Sequence, residues 1–232
     1  MPRPKIIAAN WKMNPPPSNL SAYHGTDNVH VFVFPAAIDL VFCKQHNLVF
    51  GGQCARAEES GAFTGDISMQ MLAGAGASAV LCGHSERRQH HGETDEMVAA
   101  QAKAALAHHL TPFVCIGETL AQREAGEEKA VIKEQMKLLP HGSPGIVIAY
   151  EPVWAIGTGK TATPAQAQEM HAYIRSQLPE DMRAKTMILY GGSMNASNAK
   201  DLLSMPDIDG GLVGGASLKP DEFKIIVESA AR

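Results

Sequence analysis

The sequence predicts an α/β protein built as a single closed parallel (β/α)8 barrel, and three observations lead there. Eight short apolar runs recur along the chain, at residues 5–10, 29–34, 48–53, 79–83, 111–117, 145–150, 186–191 and 211–214. Longer segments with helix signals separate them, as crossovers between parallel strands require. The length, 232 residues, is ordinary for one barrel domain, so residues 1–232 read as one unit. An open doubly wound sheet uses the same alternation, and periodicity alone leaves that topology standing.

Taken in order, the chain enters its first run directly from Met1-Pro2-Arg3-Pro4, without the apolar core of a signal peptide. The crossover that follows is odd. Residues 14–28 hold Pro15-Pro16-Pro17, and three consecutive prolines cannot sit inside a helix, because each lacks an N–H donor. What remains, opened by Ser18 and stopped by Gly25, predicts a shortened first helix of about two turns. Such a crossover leaves the outer layer thin there and exposes apolar surface that a neighbouring subunit or an adjusted helix must cover. Further on, Ser85-Glu86-Arg87-Arg88 reads as a short helical turn, and Thr94 opens an alanine-rich helix ending near His109. Thr163-Pro164-Ala165-Gln166 combines an N-cap, proline at the first helical position and a capping box, and Pro179 closes that segment.

Composition narrows the classes of partner. With 45% hydrophobic residues, 19% charged and a net charge of −4, the chain reads as a soluble globular protein and not a binder of nucleic acid. An anionic ligand must then be met by individual Lys, His and backbone N–H groups. No apolar run approaches membrane-spanning length, which leaves no membrane partner and the cytoplasm as the expected compartment. Cys43, Cys54, Cys82 and Cys115 form no C-x-x-C pair and read as reduced, mostly buried thiols. The pairs His90-His91 and His108-His109 lack a converging carboxylate at motif spacing, so no metal is expected.

The most informative stretch is Tyr150-Glu151-Pro152-Val153-Trp154-Ala155-Ile156-Gly157-Thr158-Gly159-Lys160-Thr161-Ala162. A carboxylate at a strand end runs into a stiff segment and then into glycines that let backbone approach a ligand, the composition of a base beside an anion-binding lid. Two familiar motifs fail here. Gly159-Lys160-Thr161 imitates the end of a P-loop, but that motif needs glycine where Trp154 stands. Gly157-x-Gly159-x-x-Ala162 fits a loose dinucleotide fingerprint, but Glu151-Pro152 separates it from its strand.

The same stretch resembles the base-plus-lid segment of the triosephosphate isomerase family. Asn10-Trp11-Lys12-Met13-Asn14, Gly83-His84-Ser85-Glu86-Arg87-Arg88 and Tyr190-Gly191-Gly192-Ser193 resemble it too, in the family's order. Gly61-Ala62-Phe63-Thr64-Gly65, Cys115-Ile116-Gly117-Glu118 and Leu212-Val213-Gly214-Gly215-Ala216-Ser217 carry the resemblance along nearly the whole chain. It implies a single (β/α)8 TIM barrel and decides against the open sheet. It also implies an aldose–ketose isomerase that needs no cofactor, interconverting dihydroxyacetone phosphate and D-glyceraldehyde 3-phosphate in glycolysis and gluconeogenesis. The family usually carries a full helix at the first crossover and asparagine where Cys54 stands, and this chain departs from it at both.

Moving a proton between adjacent carbons of a hydroxy-carbonyl needs a base, a donor to polarise the carbonyl and positive potential for the enediolate. Asn10, Lys12, His84 and Glu151 all fall at strand ends, where a parallel barrel gathers its polar groups on one rim. The resemblance casts Glu151 as base and His84 as neutral electrophile. Lys12 then supplies the charge, Asn10 an amide donor, and Glu86 a partner for the lysine. Arg87 and Arg88 read as structural charges, and Cys115 as apolar filler. Phosphate is expected on backbone N–H groups at Gly157, Gly214 and Gly215 and on Ser193, with 152–154 and 160–162 as the hinges of the lid. The resemblance also implies a homodimer through the 61–65 loop, with Thr64 reaching the partner's site. Two other classes are weighed against this. A barrel that merely binds phosphorylated sugars would need neither base nor proton shuttle, and a barrel lyase would need a Schiff-base lysine or a metal cluster.

Overall fold

The computed structural model describes residues 3–140, 145–156 and 161–231. Its strands are β1 (Lys5–Asn10), β2 (Val29–Phe34), β3 (Gly51–Gly52), β4 (Ala79–Cys82), β5 (Thr111–Ile116), β6 (Val147–Tyr150), β7 (Met187–Tyr190) and β8 (Gly210–Val213). All pair in parallel, in the order β2-β1-β8-β7-β6-β5-β4-β3. A single parallel bridge between Val33 and Phe50, with Val33 N–H donating to Val49 O at 2.9 Å, joins the two ends. The sheet is therefore a barrel, and the open topology is excluded.

Strand periodicity divides the core in two. Ile6, Ala8, Leu81, Phe113, Cys115, Ala149, Leu189 and Leu212 fill the interior, while the intervening Ile7, Ala9, Val80, Val114, Ile148 and Ile188 pack under the outer helices. Those helices are α1 (Leu40–Gln45), α2 (Met69–Ala75), α3 (Ser85–His91), α4 (Asp95–Ala107), α5 (Leu120–Glu124), α6 (Glu128–Lys137), α7 (Pro164–Gln177), α8 (Ala199–Leu203) and α9 (Pro220–Ala230). The local signals hold. Thr163 and Gln166 form the reciprocal capping box of α7 with Pro164 first in the helix, and Thr94 Oγ1 accepts the Met97 N–H to open α4.

Two expectations are corrected. The third strand shrinks from 48–53 to Gly51–Gly52, because these two residues alone form the ladder with β4, while Phe50 makes a single bridge to Val33. The first crossover contains no α-helix, only a 3-10 turn at Ser21–Tyr23, and Ser18 caps nothing. Asn19 Oδ1 takes the Ser21 N–H at 3.0 Å instead, and the chain turns extended at His24, after one turn. The apolar surface left there is covered from within by Tyr23, whose ring stacks on Phe223 of α9 at 4.8 Å and meets the edge of Trp11 at 5.5 Å.

At the N-terminal face, buried Arg175 of α7 joins the starts of β7 and β8. Its Nε donates to Asp207 at 2.7 Å and its Nη2 to Asp209 at 2.6 Å, and Nη1 reaches the carbonyls of Arg183 and Thr186. This lower rim is the stability end of a barrel, which leaves the other rim for chemistry. All four cysteines are free thiols, three of them buried and Cys54 partly so.

Candidate active site

Polar groups gather where the strands leave the barrel. A cavity of about 320 Å³ is lined by Asn10, Lys12, His84, Glu151, Ser193, Gly214 and Gly215 among others. A second, of about 340 Å³, shares Asn10, Lys12 and His84 with it and adds Met13, Gln53 and Glu86. Every site residue expected from the sequence thus lines one of these two hollows except Gly157, which lies outside the described residues, as does Lys160 of the second hinge.

β1 ends on Asn10, and the backbone then turns sharply. Lys12 adopts φ 52°, a left-handed conformation uncommon for a side chain of its size, so something must hold it. Asn10 Oδ1 accepts the Lys12 N–H at 3.0 Å, and Gln53 Nε2 donates to the Lys12 carbonyl at 2.8 Å and to that of Phe34 at 3.0 Å. The peptide groups on both sides of Lys12 are therefore pinned. The lysine Nζ pairs with Glu86 Oε1 at 2.5 Å. A Cβ on Gly214 would stand 3.7 Å from that same Nζ, so the cation borders the glycine turn after β8. Burial works against the charge of Glu86, but the hydrogen bond from Lys12 and the charge behind it outweigh burial and hold the carboxyl below its ordinary value.

His84 follows β4 by way of Gly83, whose φ of 72° suits glycine alone. It caps α3: Nδ1 accepts the Glu86 N–H at 3.2 Å. A ring nitrogen that accepts carries no hydrogen, so the N–H is on Nε2, the nitrogen turned toward Glu151. That Nε2 lies 3.1 Å from Glu151 Oε1, out of line for a hydrogen bond, and this buried oxygen has no partner among the described residues. The other carboxylate oxygen, Oε2, accepts the Ser85 N–H at 2.7 Å. The base candidate and the donor candidate therefore meet, although they leave the barrel from different strands.

Around Glu151 the sequence reading missed several supports. Its N–H donates to Ile116 O at 2.8 Å, and Gly117 lies against its carbonyl. Glu118, wholly buried, accepts from Tyr150 Oη at 3.0 Å and from Trp154 Nε1 at 2.8 Å, and Arg123 stands 3.5 Å from the same carboxylate. The first hinge is thus tied to the end of β5. The one available signal was a carboxylate inside the apolar context Cys115-Ile116-Gly117-Glu118. Arg87 and Arg88 are structural as expected. Arg87 pairs with buried Glu93 at 3.0 Å, and Arg88 pairs with Asp95 and donates to the carbonyls of Gly83 and Cys115. Cys115 faces the barrel interior, where burial first and the Glu151 charge second push its thiol well above the usual range, so it stays protonated.

Ser193 follows β7 and has both donors engaged. Its Oγ donates to Ala155 O at 2.7 Å and its N–H to the same oxygen at 3.3 Å. After β8, Gly214 and a 3-10 turn at Gly215–Leu218 complete the rim. The first N–H groups of such a turn have no acceptor within it, which suits an anion.

Comparison with known proteins points the same way as this geometry. A family model described as Triosephosphate isomerase matches residues 5–230. The chain is 50% identical to the triosephosphate isomerase of Paracidovorax citrulli (strain AAC00-1), over 100% of both chains. It is 47% identical to that of Albidiferax ferrireducens, over 98% of this chain and 99% of the relative. To that of Endomicrobium trichonymphae it is again 47% identical, over 97% and 98%.

Proposed function

The chain belongs to the triosephosphate isomerase family, and from that premise we propose how its own residues carry the reaction. The enzyme interconverts dihydroxyacetone phosphate and D-glyceraldehyde 3-phosphate, a step of glycolysis and gluconeogenesis. Both compounds are at one oxidation level, so the chemistry is proton transfer through an enediolate and calls for no redox partner.

Glu151 removes the proton from carbon, and His84 Nε2–H donates to the carbonyl oxygen as charge develops there. The observation that carries this assignment is the 3.1 Å approach of His84 Nε2 to the unpartnered Oε1 of Glu151. That gap is too small for substrate. A carbon held between two groups needs roughly 7 Å, two ordinary contacts, so Glu151 must turn on its side-chain torsions and give up the Ser85 N–H. Lys12, with Asn10 beside it, supplies positive potential to the enediolate, and Glu86 holds the lysine and assists proton transfer. The phosphate rests on the N–H groups of Gly214 and Gly215, with Gly157 from the lid. To join them Ser193 must release Ala155 O, which couples arrival of phosphate to movement of the segment after Glu151.

We further propose that two copies associate through the 61–65 loop, with Thr64 directed at the partner's Lys12 region. Met13 and Ile38 are almost fully exposed in the single chain, and Phe63 and Met71 are exposed as well, so an apolar surface awaits cover. The whole chain acts as one catalytic domain in the cytoplasm, without nucleic acid or membrane as partner. Among the described residues no helix is long and apolar enough to cross a membrane.

The test is incorporation of solvent deuterium at the carbon next to the carbonyl. Wild type should exchange during turnover, and Glu151→Gln should lose exchange and kcat together by at least about a hundredfold. Exchange surviving the substitution removes Glu151 from its role.

A further inference from the structure

Without a helix in the first crossover, a single side chain reaches across the space left behind. Tyr23 is 1% exposed, and its ring is held on one side by Phe223 and on the other by Trp11. A buried phenol needs an acceptor, and this one donates to the carbonyl oxygen of Ser217 at 2.6 Å. Ser217 lies in the 3-10 turn that follows Gly214. Late carbonyls of such a turn have no donor within it, so the phenol satisfies an oxygen that would otherwise be buried unpaired. Ser217 in turn donates its N–H to Gly214 O at 2.8 Å and its hydroxyl to Asn10 O at 3.4 Å.

We propose that Tyr23 is a positioning residue for the phosphate grip, fixing through Ser217 the orientation at which Gly214 and Gly215 present their N–H groups. This rests on the reading of those glycines as the phosphate site. Ala216 and Leu218 pack the turn on the core, but nothing packs on Gly215 itself, where a Cβ would meet nothing within 4 Å. Gly214, with φ −88° and ψ −108°, is a flexible joint whose carbonyl is held by the Ser217 N–H. The turn is therefore aligned from behind, by hydrogen bonds converging on Ser217, and the buried Tyr23 hydroxyl supplies one of them. Burial pushes the phenol up to about 12, so it remains a donor throughout the working pH range.

Tyr23→Phe keeps both ring contacts and deletes the bond. The measurement is the ratio of kcat/KM for glyceraldehyde 3-phosphate to that for unphosphorylated glyceraldehyde, which does not depend on how much of the variant folds. It is accompanied by the competitive inhibition constant of inorganic phosphate. The ratio should fall, and the inhibition constant rise, by about three- to tenfold, the range of one hydrogen bond. Phe223→Leu, which thins the stack but keeps the hydroxyl, should leave the ratio at its wild-type value. An unchanged ratio in Tyr23→Phe, or equal losses on both substrates, overturns the proposal. Wild type that inorganic phosphate does not inhibit overturns the phosphate reading and the proposal with it.

Discussion

Gly117 leaves no room for a side chain beneath the carbonyl of Glu151: a Cβ built on the glycine collides with the carbonyl oxygen and carbon of the base residue. The ends of β5 and β6 are pressed together at that point, and the Glu151 N–H bond to Ile116 O holds them there. Gly117→Ala should move the Glu151 backbone and lower kcat by about a hundredfold, the loss expected of a base displaced by one ångström, with a smaller effect on KM. Steady-state kinetics on the folded variant check this, and wild-type kcat would show that the strand ends can part without cost.

Stability should depend on pH through His171 of α7. The ring is buried between Tyr150 and Tyr190, its Nδ1 lies 3.3 Å from Asp207 O, and Nε2 has no partner among the described residues. Burial is the main cause that pushes its pKa down to about 3 from 6.5. A depressed folded value means that the unfolded chain takes up the proton first as pH falls. The contribution is therefore complete above pH 6.5 and is lost progressively from there toward pH 3. Between pH 6.5 and 5 the loss should reach about 2 kcal/mol. Urea unfolding at the two pH values measures it, and His171→Gln, which keeps a donor for the carbonyl, should flatten that slope.

Arg175 carries the opposite rim. Arg175→Met removes the cation that Asp207 and Asp209 share, leaving Arg3, 2.6 Å from Asp209, as the remaining counter-charge, and should cost about 3 kcal/mol of unfolding free energy. Adding Asp209→Asn should recover part of that, because two carboxylates would otherwise be left with Arg3 where two guanidinium groups stood. A double variant no more stable than the single would contradict the assignment.

The proposed dimer can be tested at Met13, 95% exposed and next to Lys12. Met13→Glu places a charge in the surface a second copy would cover. Sedimentation velocity should show a dimer in wild type and a monomer in the variant, and an unchanged assembly would move the contact elsewhere.

How much of this was legible in the sequence depended on whether the cause was local. β1 and β2 match the residues expected, because Pro4 and Asn28 before the runs and Asn10 and Pro35 at their ends set the limits locally. The start of α7 was readable to the residue, since Thr163, Pro164 and Gln166 act on their own turn. β3 was not, because its extent depends on which neighbour pairs with the glycines. At the first crossover the prolines announced a shortened helix, but the full loss of the helix depended on Tyr23 finding Phe223 and Ser217, which are remote in sequence. The same division runs through the site. His84 and Glu151 declare themselves at strand ends. Gln53, Ser85 and Glu118 matter through partners that only folding supplies.

The shortened crossover also bears on what a barrel's outer layer is for. Residues 11–28 span up to about 60 Å when extended, several times what is needed to return alongside a strand of six residues, so reach never demanded a helix. One aromatic ring, wedged where several turns of cylinder would go, closes the core side of the sector, with an open hollow left outside it against Phe42 and His46. The perimeter of such a scaffold can be rebuilt sector by sector, provided the ring that braces the turn behind Gly214 is kept.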